Sequence, residues 1–419
     1  TTTTKHFTNV TTGDQWIIGE LTETYVQGSV IGASDVARHA TFSPDAPTGH
    51  IMNSVIEPGN PDLQLESDYG YDSFGNLTSV QQSGRDITTR TNHLNYDTVR
   101  GQFPVTAVNA KSQSSTLTFD PRFGGQTTIT DPNSVVRSVH YDTLGRMDKT
   151  TNPDGTMTVT SYNLCSGTCP STGAYFVTTT PQNTSGAQDG ASTLVYYDAL
   201  DRVIATDTQG FDGSTIRTSA SYGDSTGRLV TTSRSYFLSG GTPQYTYYSY
   251  DALNRITLTA FPDTSQTSYC YHGLTTSTTN DKGQTKTVVK NFQGLPITIV
   301  DNASGACLTT SGVATNYSYD AFGNPLTIED SSSNTITNTF DARGNKRAST
   351  DPDMGHWTYT YDQLSELIGQ TDANGNSTTL TYDVLQRPLS RTEADFYSKW
   401  LYDPTNGIGQ PNDACVNAT

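Results

Sequence analysis

Along most of the chain, apolar and polar positions alternate with a period of two, in short runs broken by turn residues. Thr378-Thr379-Leu380-Thr381-Tyr382 and Arg202-Val203-Ile204-Ala205-Thr206 are examples. Successive side chains on a strand point to opposite faces, so this alternation predicts half-buried β-strands. Two kinds of turn punctuate the runs. The first follows an aromatic–aspartate pair. Its clearest copies begin Tyr71-Asp72-Ser73-Phe74-Gly75-Asn76, Tyr141-Asp142-Thr143-Leu144-Gly145-Arg146 and Tyr197-Asp198-Ala199-Leu200-Asp201-Arg202. Further copies begin at Tyr250-Asp251, Tyr319-Asp320 and Phe340-Asp341, and Tyr361-Asp362, Tyr382-Asp383 and Tyr402-Asp403 finish the series. Aspartate caps such a turn with its own carboxylate, and Gly supplies a positive φ. The second turn comes about ten residues later, as in Asn152-Pro153-Asp154-Gly155 and Asp372-Ala373-Asn374-Gly375.

The steps from Phe340 to Tyr361 and from Tyr361 to Tyr382 are both 21 residues. Two strands of about six residues and two turns fill such a step, so each repeat reads as a β-hairpin. Weaker copies start at Phe42, Tyr96, Phe119, Tyr162, Tyr222, Tyr271 and Lys290. Longer steps read as insertions, notably residues 163–196 and 300–316. A lone hairpin buries too little to be stable, so neighbours must pair edge to edge. The expectation is an all-β chain: tandem hairpins in one long, curled antiparallel sheet, a solenoid-like strip or part of a hollow shell. Residues 1–41 read as a partial repeat region, 42–405 as an array of about sixteen hairpins, and 406–419 as a tail.

Composition agrees. Of 419 residues, 72 are Thr and 24 are Tyr, and only 33% are hydrophobic. Thr and Tyr suit a pleated, half-exposed surface. The aromatic content also argues against disorder. A net charge of −17 and the lack of any basic run argue against nucleic acid as a partner. No apolar stretch is long enough to predict a membrane-spanning helix.

The Tyr-Asp-x-x-Gly-Arg/Asn pattern, followed by Asp-Pro-Asn/Asp-Gly turns, resembles the rearrangement-hotspot (RHS) repeat, or Tyr-Asp repeat. The resemblance runs over roughly residues 16–405, and also takes in Trp16-Ile17-Ile18-Gly19-Glu20-Leu21-Thr22. It implies a β-strip forming part of a hollow shell, as in bacterial toxin complexes, polymorphic toxins and teneurins. It further implies an extracellular or cell-surface protein whose partners are an enclosed protein cargo or neighbouring shell segments. The pattern runs close to both ends, which favours a segment of a larger shell.

Candidate chemistry is sparse. A dipeptide repeated at one place in every hairpin is what a scaffold needs, whereas a site needs one copy to differ. Tyr71, Tyr141, Tyr197, Tyr250, Tyr319, Phe340, Tyr361 and Tyr382 are therefore expected as structural anchors. Asp72, Asp142, Asp198, Asp251, Asp320, Asp341, Asp362 and Asp383 are expected as turn caps. No catalytic residue, metal ligand or cofactor-binding residue is assigned. The seven histidines are scattered, and no nucleophile elbow or phosphate loop occurs. Cys165 and Cys169 are close enough for a local disulfide in an oxidising compartment, the alternative being isolated thiols. The leading expectation is a non-enzymatic shell segment that encloses a secreted cargo. A carbohydrate-binding adhesive module and a head-to-tail fibre subunit are the alternatives.

Overall fold

A computed structural model describes residues 1–12, 15–30, 34–167, 169–223, 226–303, 308 and 311–418. Among these residues there is no helix, and 35 strands form one antiparallel sheet that does not close into a barrel. Pairing follows chain order almost throughout. The strand Met147–Thr151, for instance, pairs with Val136–Tyr141 on one side and Met157–Leu164 on the other. The one departure lies near residue 236. There Thr215–Tyr222 pairs with both Leu229–Ser233 and the short strand Tyr236–Phe237, while Leu229–Ser233 pairs on with Tyr245–Tyr250.

The period-two pattern is visible in burial. In Gly355–Tyr361, Trp357, Tyr359 and Tyr361 are half-buried on one face, and His356, Thr358 and Thr360 are exposed on the other. In Ser114–Phe119, Ser115, Leu117 and Phe119 alternate with exposed Ser114, Thr116 and Thr118. A single layer leaves both faces in reach of water. The accessible surface is 24021 Å² for a 45.3 kDa chain, against roughly 16,000 Å² expected of a compact globule of that mass. Few apolar side chains are fully buried, among them Leu63, Leu65, Tyr196, Ile204, Ala205 and Val300. Much of the order must therefore come from the strand ladder and the turns.

Pairing register slips by one residue at the aromatic of the repeat, between His140 and Tyr141, Ser249 and Tyr250, Thr339 and Phe340, and Thr381 and Tyr382. The cause is the turn. A tight turn followed by one left-handed residue leaves an extra residue on one strand, which is a β-bulge. Gly145, Gly323 and Gly344 hold that left-handed position, with φ of 77°, 89° and 90°.

The chain divides into two compact units. The first comprises residues 1–118, 130–134 and 315–419, and the second residues 119–129 and 135–314. The insertion at 163–196 contributes the strands Tyr175–Gln182 and Thr193–Tyr197 to the sheet. The insertion at 300–316 lies partly outside the described residues, as does Cys307. Residues 411–418, read from the sequence as tail, form a strand paired with Phe396–Tyr402.

Candidate functional site: the turn rows

Eight of the aromatic–Asp turns are closed by their aspartates in one repeated way. In Asp72, one carboxylate oxygen accepts the N–H groups of Phe74 and Asn76, both at 2.9 Å. The other accepts the Asn76 side-chain amide at 3.0 Å. Asp142, Asp198, Asp251, Asp320, Asp341, Asp362 and Asp383 accept the corresponding two backbone N–H groups. The residue four places after the aspartate supplies the third bond, through an Asn amide or an Arg Nε. Asn324, Asn345, Arg146, Arg202, Arg255 and Arg387 all do so, at 2.7–3.1 Å. The Arg/Asn position of the motif is thus a side-chain donor to its own aspartate.

Where that residue is Arg, it also reaches the next repeat. The guanidinium lies 4.2–4.4 Å from the ring centre in the pairs Arg146–Tyr162, Arg202–Tyr222, Arg255–Tyr271 and Arg387–Tyr402. The tyrosine hydroxyl then donates to the carbonyl of the residue just after the previous turn. Tyr162 bonds Met147, Tyr222 bonds Val203, Tyr271 bonds Ile256 and Tyr382 bonds Leu367, at 2.8–3.1 Å. Tyr71, Tyr141 and Tyr250 similarly donate to Ile51, Gln126 and Leu229. Tyr197 stacks on Tyr175 at 4.8 Å. Tyr319 and Tyr361 are half-buried, and burial raises both phenol pKa values. Phe340 has no hydroxyl, and here the Asn338 amide donates to the equivalent carbonyl, that of Pro325, at 3.0 Å.

At several of these turns the cap biases the carboxylate toward the ionised form. Hydrogen bonds from the Phe103 and Arg100 N–H groups lower Asp97 to about 2. The Arg122 side chain lowers Asp120 to about 2. The Arg202 side chain lowers Asp198, and the Arg387 side chain, aided by the Gly409 N–H and Lys111, lowers Asp403.

Among these eight copies one differs. Glu366 stands where the other seven have Arg or Asn, and as a carboxylate it offers Asp362 no donor. It instead takes both ends of the Arg90 guanidinium, at 3.1 and 2.8 Å, with each side chain only 8% exposed. Burial pushes the Glu366 carboxyl up against the pull of Arg90. This ion pair joins two stretches of the first unit that lie 276 residues apart in sequence. Its neighbours do likewise. Gln363, 0% exposed, donates to the Pro61 carbonyl and to Asp86 and accepts the Asp86 N–H. Arg38 donates to the Ala342 carbonyl at 2.8 Å and lies over the Phe322 ring at 4.1 Å. Lys111 reaches Asp403 and Asp383, and Asn133 exchanges two hydrogen bonds with Ile408. Thus, within the first unit, the Tyr-Asp turns of residues 320–409 are seated on turns and strands of residues 38–111 and on Asn133.

The sequence reading had no sight of Arg90, Gln363 or Glu366. The usable signal was the departure from the repeat at Glu366, a carboxylate in a donor's place. In the second unit the buried pair Asp207–Arg217, at 2.6 and 2.7 Å, joins directly opposed strand residues. Cys165 and Cys169 form a disulfide with Cα atoms 5.7 Å apart, Cys270 is also disulfide-bonded, and Cys415 is free and exposed. Among the described residues no group of three His, Cys, Asp or Glu side chains could hold a metal ion.

The RHS Repeat family signature matches residues 366–395. The fold matches a crystal structure of TcdB2–TccC3 over 98% of this chain, with a TM-score of 0.75 and 13% identity. It also matches TcdB2–TccC3 lacking its hypervariable C-terminal region, over 93% of this chain, with a TM-score of 0.69 and 13% identity. A third match is the Photorhabdus luminescens Tc holotoxin pore, over 99% of this chain, with a TM-score of 0.61 and 12% identity. This chain spans 28–29% of those chains. No curated protein matches its sequence. The resemblance to the RHS repeat is thus matched by the family signature at residues 366–395, and the fold is the one these TcdB2–TccC3 structures contain.

Proposed function

We propose that this chain is a wall segment of a larger RHS-type shell that encloses a secreted protein cargo such as a toxin domain, and that it works without catalysis. One observation carries the reading. The same Asp cap and Tyr–carbonyl bond recur through most of the repeats, and a copy that departs, at Glu366, uses its difference to join one stretch of wall to another. The matched fold over nearly the whole chain, and the small share of the matched chains that it spans, support the same reading. A wall of this kind shields its contents because a fully paired sheet leaves no gap for a protease. The Cys165–Cys169 disulfide fits an oxidising, extracellular setting.

The test is to isolate the native product from its source with an antibody to this chain and challenge it with protease. A co-purifying polypeptide should survive while the wall is intact and be digested once the wall is unfolded. Digestion of that polypeptide at equal rates before and after unfolding would remove the enclosure reading.

A further inference from the structure

In the second unit a guanidinium lies over the rings of Tyr162, Tyr222, Tyr250 and Tyr271, 4.2–5.2 Å from the ring centres. Tyr197 has no such partner among the described residues, and the reason is local. The arginine comes from the turn before: Arg146 serves Tyr162, and Arg202 serves Tyr222. Before Tyr197 that turn is replaced by the loop of Cys165 and Cys169, which carries no arginine. The loop leads into Tyr175, which is paired directly opposite Tyr197, and the two rings stack 4.8 Å apart at 7°. On the other side of Tyr175 the directly opposed residue is Leu164, which is 83% exposed and so covers little of that ring. The Tyr175 hydroxyl donates to Asp201 Oδ1 at 2.9 Å. The adjacent Arg202 is held by Asp198, and Asp201 forms no ion pair among the described residues.

These groups line one cleft of about 590 Å³, together with Arg146, Tyr162 and Val177. We propose that the cleft binds a guanidinium group, carried by an arginine of a peptide or by a small guanidine. Elsewhere in the strip an arginine does two things at once. Arg146 donates from Nε and Nη2 to Asp142 and lies over Tyr162. Tyr175 and Asp201 offer the same two surfaces, tied together by the tyrosine hydroxyl, and no arginine among the described residues takes them. Charge points the same way. Arg146 and Asp142 cancel, which leaves the Asp201 carboxylate as the net charge of the cleft. An acidic ligand would meet like charge there. A planar guanidinium can stack on a ring and fork onto a carboxylate together, whereas an ammonium is a point charge. Leu164 and Val177 give apolar surface for a methylene stem. The inference goes beyond the wall reading and holds whether or not a cargo is enclosed.

The test adds N-acetylarginine methylamide to the 419-residue chain and follows it by saturation-transfer NMR, beside the citrulline and lysine analogues and methyl β-glucoside. The arginine probe should bind in the millimolar range, and the neutral citrulline isostere about tenfold more weakly. Asp201→Asn should remove the preference for arginine and leave the thermal midpoint in place, because Asn254 fills the same turn position at φ 65° where Asp201 has φ 60°. Leu164→Arg, a change at an exposed side chain, should supply the guanidinium from within and block the probe. Equal binding of arginine and either analogue, tighter binding of the glucoside, a preference that survives Asp201→Asn, or no binding of any probe would each overturn the proposal. The source is read separately, with p-benzoylphenylalanine at Leu164 in the native product. Capture of an arginine-bearing peptide assigns the guanidinium to a polypeptide, and no capture assigns it to a small guanidine. Capture only of a peptide lacking arginine would overturn the proposal.

Discussion

The Tyr-Asp turns of residues 320–409 and those of residues 119–129 and 135–314 share one sequence logic and live in different surroundings. Both cap themselves through the aspartate and hand a donor back to it. Those of the first unit also carry side chains that bind a distant stretch, and they are buried by it. Those of the second unit end in exposed leucines. The self-contained cap makes the repeat foldable anywhere along the strip. The residues that differ from copy to copy decide what the strip touches.

Acid tests the shared part on the largest scale. The carboxylates of Asp72, Asp97, Asp120, Asp142, Asp198, Asp251, Asp383 and Asp403 are lowered in the fold, so their stabilisation is fully present above the unfolded value near 4 and is lost as pH falls through the folded value. For Asp97 and Asp120 that window runs from about 4 down to about 2. Stability followed by denaturant melts should be level from pH 7 to 5 and fall steeply below 4. Hydrogen exchange should show the Asp120 turn opening before the Asp403 turn, whose carboxylate is held by both Arg387 and Lys111. Simultaneous opening would mean that covering adds nothing to the cap.

Arg90→Ala tests the part that differs. It strands the Glu366 carboxylate among buried groups, and removing one partner of a buried pair costs about 3–5 kcal/mol. The exposed counterpart Arg146→Ala in the second unit should cost under about 1 kcal/mol. Urea midpoints of the two variants measure the gap. Equal losses would show that the covered turns gain nothing from the distant stretch.

The array was legible because its signals are local. Alternation placed the strands at Val203–Gln209 and Ser377–Tyr382. The Asp and Gly of the motif pointed to a capped turn, since Asp can accept nearby backbone N–H groups and Gly supplies a positive φ, whereas the donor role of the Arg/Asn position was not read. The contact between Arg90 and Glu366 was not legible. Its partners are separated by most of the chain, and neither side chain sits in a pattern that names the other. The tyrosine–carbonyl bond lay between these extremes. The repeat marked the positions of the tyrosines, but the acceptor belongs to the backbone and leaves no mark in the sequence.

Phe340 sharpens that middle case. Asn338→Ala removes the amide that serves the Pro325 carbonyl, and should cost about 1–3 kcal/mol as a buried acceptor goes unsatisfied. Combining it with Phe340→Tyr should recover part of the loss by restoring the hydroxyl that other repeats use. Tyr382→Phe, where Leu380 stands in the place that Asn338 has beside Phe340, should cost about 0.5–1.5 kcal/mol. Thermal unfolding of the three variants decides the matter, and a double variant no better than Asn338→Ala would exclude the hydroxyl as a substitute.

The smallest effect separates backbone from side chain. Gly344 fills the left-handed position of its turn at φ 90°, while Gln386 fills the same position at φ 67°. A residue with a Cβ loses about 1–2 kcal/mol there, and Gly gives back roughly 0.5–1 kcal/mol of that through its freer unfolded chain. Gln386→Gly should therefore stabilise by about 0.5 kcal/mol, and Gly344→Ala should destabilise by about as much or slightly more. The nearest atoms to a Cβ at Gly344 are 3.4 Å or further away, so no clash adds to the backbone term. Both turns lie in the covered row of the first unit, which makes surroundings a weak explanation for opposite signs. Calorimetric midpoints moving in opposite directions would assign the preference for Gly in this motif to backbone conformation alone. Midpoints moving the same way would show that the Gln386 side chain has work of its own.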